Sequence, residues 1–214
     1  MSIHQLKNEL NKHKKVEVIY VDKSEAEENW LTEESPANVR NGKVYILNDL
    51  QCGKKIQAEA HELGHLYVEQ LGLRHFEPKA SEPMDYLKLE LNNALSHRFI
   101  IHILDEQFNI SSEYHLQLRR KGIDTTKEML QDGSEYEKEI LFGLGLKLFD
   151  ISITILDAEE EIKQVVSLNK DVALAFEKAK THLVQLKLDM SNEEQEQMIS
   201  EFLEELGLSL VHLS

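Results

Sequence analysis

The stretch "AEAHELGHLYVEQLG", residues 58–72, decides how the rest of the chain reads. It holds His61-Glu62-Leu63-Gly64-His65, an HExxH pattern: two histidines one helical turn apart with a glutamate between them. At about 100° per residue, Ile56, Ala60, Leu63, Tyr67 and Leu71 fall on one apolar stripe, which predicts a helix over 54–71 ended by Gly72. His61 and His65 project well to the side of that stripe, so they need not be core residues. Their i, i+4 spacing brings two imidazoles within reach of one zinc ion. Glu62 faces away from both, as suits a base acting on water rather than a ligand. The bland alternative is a surface helix carrying two hydrated histidines.

Working outward, 54–71 opens a long helical half. Helical patterns follow at 84–107, 112–121, 125–131, 135–166, 171–189 and 192–206, and a loop at 73–83 holds two of the three prolines. Before the motif lie a short helix over 2–14, a strand over 15–21 rich in β-branched residues, and a second strand over 43–48 after an Asn41-Gly42 turn. Residues 49–53 link that strand to the motif helix. The expected fold class is α+β, mostly α: a small N-terminal β ribbon packed on a zincin-like helix pair, then a helical C-terminal region. The expected division is a metallopeptidase core over 1–107 and a helical region over 108–214. Gly143 and Gly145 interrupt "ILFGLGLKLF" and fit either a close helix crossing or a kink.

The chain has 214 residues and a net charge of −15, against which a basic phosphate-binding face is not expected. The basic clusters at 12–15 and at Arg119-Arg120-Lys121 read as solvated surface. No nucleic acid and no membrane are therefore expected as partners. A lone cysteine, Cys52, permits no internal disulfide, the N-terminus lacks the apolar core of a signal peptide, and the longest apolar run (140–156) falls short of a membrane span. A cytoplasmic protein is the expectation.

Catalytic zinc takes three protein ligands and keeps one open position. The metzincin pattern would need glycine at 68 and histidine at 71, where this chain has Val68 and Leu71. The third ligand must come from His75, Glu77, Glu82, Asp85, Glu90 or His97. Glu90 is favoured: it sits in "YLKLELNNAL" on the next long helix, between Leu89 and Leu91, where an unpaired carboxylate is costly. Asn93 and His97 follow on the same face. Asn93 could fix a ligand histidine's tautomer, and His97 could stabilise an oxyanion or cap the pocket. His102 and His115 read as structural or solvated.

The segment "GKVYILNDLQCGKKIQAEAHELGHLYVE" resembles zinc metallopeptidases of the ImmA/IrrE type, over roughly residues 42–100. The resemblance implies that His61, His65 and Glu90 are the zinc ligands and Glu62 the catalytic base. It also implies a protein substrate, often a repressor, cut in a regulated way. Two departures stand out. The family tends to read Glu-x-x-Ala-Asn where this chain has Glu90 followed by Asn93-Ala94, and many relatives carry a helix-turn-helix domain for which there is no room here.

The function expected is thus a zinc metalloendopeptidase hydrolysing a protein or peptide substrate, with Glu62 and His97 as catalytic residues. The substrate would lie extended along the edge of the 43–48 strand. The rival is a non-catalytic helical interaction protein with a structural or degenerate zinc site, forming a homo-oligomer through its C-terminal helices.

Overall fold

The computed structural model describes residues 2–13, 15–77 and 83–213. Residues 78–82, which include the ligand candidate Glu82, lie outside the described residues, as does Lys14 at the end of the expected first helix. The fold is mostly helical α+β with a small N-terminal three-stranded mixed sheet. The chain forms two compact units: residues up to Leu71 together with Phe99–Leu118, and Gly72–Arg98 together with the residues from Arg119 on. The expected boundary near 108 falls inside the second segment of the first unit. Among the described residues, no helix is long and apolar enough to cross a membrane.

In the first unit, α1 (Ile3–Asn11) precedes β1 (Glu17–Val21), β2 (Ala37–Arg40) and β3 (Lys43–Leu47). The strand order is β1-β3-β2, with β1 parallel to β3 from Glu17↔Lys43 to Val21↔Leu47 and β2 antiparallel to it from Ala37↔Ile46 to Arg40↔Lys43. Asn41 and Gly42 both take positive φ (53° and 69°), the backbone that a two-residue hairpin turn requires, and this pins the β2–β3 register. Val44 and Ile46 are fully buried, which places the core on one sheet face. Because β3 is central, it has no free edge, and a substrate strand cannot add to it as the sequence led us to expect. The outer edges belong to β1 and β2.

The helix α2 (Cys52–Gln70) packs against β2, β3 and α1, where Leu6 and Leu10 are fully buried. Asn48 joins the sheet to this helix. Its N–H donates to the Val21 carbonyl at 2.8 Å, its side-chain amide donates to Asp22 Oδ1 at 3.0 Å, and its Oδ1 accepts from Lys55 Nζ at 3.1 Å. The expected apolar stripe of α2 is only partly the buried one. Ala60 and Leu63 are buried but Ile56 and Leu71 are exposed, while His61, Gly64 and Val68 on the neighbouring face are buried. The helix is covered on more than one side, so the histidine face is interior.

Two helices, α3 (Pro83–Glu106) and α4 (Glu113–Gln131), run continuously through both units. No break occurs at 122–124. Gly122 lies within α4, where a Cβ would come within 2.6 Å of Lys147 Cε. The second unit adds α5 (Lys138–Thr154), α6 (Glu159–Val166), α7 (Lys170–His182) and α8 (Asn192–Glu205). The expected single helix over 135–166 is interrupted where Ile155 leaves helical geometry (φ −128°, ψ 84°). Nearly every residue of α5 from Leu141 to Ile151 is buried, in keeping with a stretch in which only Lys147 and Asp150 are charged. It crosses α7 at Gly145, whose missing Cβ would stand 2.6 Å from the Val172 carbonyl oxygen, so the glycine makes a close crossing and not merely a kink. Capping sets the later boundaries: the Asn169 side chain accepts from the Asp171 N–H at 2.8 Å, and Ser191 and Glu194 exchange bonds at 3.2 and 2.8 Å.

Candidate metal centre

The motif places His61 and His65 on successive turns of α2, with ring centroids 4.9 Å apart and planes at 86°. His61 is 3% exposed and His65 half-buried. Between them, Gly64 lets α3 come close: a Cβ there would lie 2.5 Å from Ile100 Cγ2. One helical turn before Ile100, α3 carries His97, 2% exposed. His61, His65 and His97 each offer a ring nitrogen, all within 4.8 Å of one another, and this buried group could hold a metal ion. His115, half-buried on α4, stacks on His61 with centroids 3.5 Å apart and planes at 17°, which gives it a packing role beside the site.

Glu90, the ligand favoured from the sequence, is buried, as its place between leucines indicated, but it is not among the converging groups. Its Oε2 accepts from Arg119 Nη1 and Nη2 at 3.2 and 3.3 Å and from the Asn93 amide at 3.2 Å. Asn93 therefore holds Glu90, not a histidine, through this bond. Arg119 also reaches Asp150 Oδ2 at 2.7 Å, and that same oxygen lies 2.8 Å from His97 Nδ1. Arg119 was expected at the surface with its basic neighbours. Arg120 is indeed more open, pairing with Asp157 at 2.8 Å, but Arg119 is largely buried between two carboxylates. Of the other ligand candidates, Asp85 pairs with Lys88 at 3.5 Å and His75 with Glu77 at 3.6 Å. Neither joins the histidine group. His102 is exposed.

The electrostatics favour neutral imidazole. Burial, aided by the Arg119 guanidinium, holds His97 well below the usual histidine range, which leaves it the lone pair a metal needs. Burial pushes the Glu62 carboxyl up to about 8. A nearby dication would bring it down again, because positive charge favours the ionised carboxylate. The residues present thus fit a borderline divalent ion that accepts neutral nitrogen donors.

One turn before Glu62 on α2, the buried Glu59 accepts from Tyr20 Oη at 2.8 Å and pairs with Lys7. Burial and this carboxylate push the Tyr20 phenol up to about 12. The phenol binds its proton more tightly in the folded chain than at its ordinary value of 10, so its stabilising contribution is complete below pH 10 and lost as pH rises towards 12. Ultraviolet titration should place Tyr20 among the tyrosines that ionise late, along with Tyr86, with its share of stability lost over that window. Tyr20→Phe should remove one late-ionising phenol from the titration and the part of the stability loss that belongs to it.

Sequence reasoning missed Asp150, Arg119 and His115. Asp150 alone left a signal, a carboxylate inside "ILFGLGLKLFDI", where Lys147 is the one other charge. Comparison of the chain with protein-family models, curated proteins and solved structures finds no match to any of the three.

Proposed function

We propose that this chain is a zinc-dependent peptidase of the ImmA/IrrE type, cytoplasmic, with His61, His65 and His97 as metal ligands and Glu62 as general base. The observation that carries this reading is the convergence of three buried imidazoles around a motif helix that also supplies the glutamate. Three neutral nitrogen donors with a fourth position left over suit catalytic zinc. When bound, zinc supplies Lewis acidity that polarises a carbonyl and acidifies water. Glu62, adjacent to His61 in sequence and one turn from His65, takes the proton of the attacking water. His115, stacked on His61, fixes the plane of that ring. The substrate is a protein or peptide in extended form.

A structural zinc site in a non-catalytic interaction protein is the second reading, favoured by the near-complete burial of His61 and His97. Two measurements separate the readings. Purified, reconstituted protein should hold about one zinc per chain, as three convergent ligands imply, and His61→Ala or His97→Ala should abolish tight binding. Absence of zinc from the wild type overturns both readings. A peptide-mimic hydroxamate, which needs an open coordination position, should bind the zinc-loaded protein. Failure to bind leaves the structural reading standing and removes the catalytic one.

A further inference from the structure

We infer that Asp150, held by Arg119 and through it by Glu90, is the positioning group that aims His97 at the metal; this rests on the three-histidine reading above. Asp150 is fully buried on α5, flanked by the buried Phe149 and Ile151, where no packing requirement explains a carboxylate. Its Oδ2 lies 2.8 Å from His97 Nδ1. A carboxylate can only accept, so the imidazole carries its proton on Nδ1 and turns the bare Nε2 outward. That is the tautomer a ligand bonded through Nε2 requires, and a carboxylate behind the ring makes the nitrogen a better donor.

Arg119 sets the position of the carboxylate in turn. Its Nη2 reaches the same Asp150 oxygen at 2.7 Å, and its two terminal nitrogens share Glu90 Oε2 at 3.2 and 3.3 Å. One guanidinium between two carboxylates leaves these three groups with a net charge of −1. The carboxylate behind the His97 ring favours a cation seated on its far side. Glu90 thus belongs to the metal centre without touching the ion. It stands third in line behind the ligand, and it keeps Arg119 from cancelling the charge of Asp150 outright.

The test is zinc affinity by chelator competition, read beside the ¹⁵N resonances of the His97 ring. Asp150→Asn should weaken zinc binding about 10–100-fold. Glu90→Gln, which leaves the His97–Asp150 contact in place, should lose less than Asp150→Asn. In metal-free wild type, the His97 ring should show the Nδ1-protonated tautomer, a signature that a merely structural Asp150 would not impose. Wild-type affinity in Asp150→Asn overturns the inference while leaving the metal site intact. An Nε2-protonated ring in the wild type overturns it even if Asp150→Asn does not fold. A Glu90→Gln loss larger than that of Asp150→Asn also overturns it, since Glu90 would then be binding the ion directly. A wild type that takes up no zinc at all removes the proposed function, and with it this role.

Discussion

On the peptidase reading proposed above, Glu62→Gln should keep its zinc and lose turnover by roughly 10²–10⁴-fold, the usual contribution of a positioned general base. Glutamine fills the same volume and leaves the three imidazoles untouched, so metal content should match wild type. It cannot accept a proton, so the water is no longer activated and the loss appears in kcat with KM nearly unchanged. Burial that pushes the Glu62 carboxyl up to about 8 makes the amide an easy replacement, because neutral glutamine suffers no charge-burial penalty at that position. Stability should therefore hold or rise in the metal-free variant. Undiminished cleavage by Glu62→Gln would assign the base elsewhere, and loss of zinc would make Glu62 one of the ligands.

Gly145→Val will unfold the second unit or leave it severely destabilised. A Cβ at this position would meet the Val172 carbonyl oxygen at 2.6 Å, Ala175 Cβ at 2.7 Å and the Phe176 nitrogen at 3.1 Å. Two of these are backbone atoms of α7, which cannot rotate away as the tip of a flexible side chain could. Gly145→Ala sets the scale. It gains about 1 kcal/mol in helix propensity but must push apart a pair of helices whose packing is close to crystalline density, a cost of about 1–3 kcal/mol or more. Its net effect is destabilising, and valine adds two further methyl groups to the clash. Gly53 in the first turn of α2 is the control: nothing lies within 4 Å of its missing Cβ, so Gly53→Ala should be neutral or slightly stabilising. Urea denaturation of the three variants tests the ordering, and a Gly145→Val midpoint equal to wild type would refute the close crossing.

What the sequence disclosed follows the range of the interactions involved. The motif helix, the two β-branched strands and most later helices were legible because periodicity and capping act within a few residues. The strand β2 was not: "ANVR" is short and half polar, and it is held by pairing with β3 through a turn whose Asn41-Gly42 signal was visible but whose partner strand was not. Gly122 read as a helix end because glycine is a poor helix former, yet here it yields room to Lys147 within an unbroken α4. At the site, His61 and His65 could be paired from spacing alone. The burial of Glu90 was likewise legible from its leucine neighbours, but its partner lies 29 residues on, at Arg119. The Asp150 that meets His97 lies 53 residues away, a separation no local pattern reports.

The parallel pairing of β1 with β3 has a consequence for the growing chain. A strand joined to its neighbour by a hairpin can pair as soon as the turn is made, as β2 and β3 do. β1 has no such neighbour. Its register partners, Lys43 to Leu47, are translated only after the whole of β2, and the helix that covers Leu6 and Leu10 of α1 comes later still. Until α2 leaves the ribosome, the first element waits with its apolar side open and the second with both edges unpaired. The same later segment that carries the histidine motif is thus the one that closes over α1 and β1. A nascent chain halted before residue 70 should remain protease-sensitive throughout, whereas one extended past α2 should begin to resist.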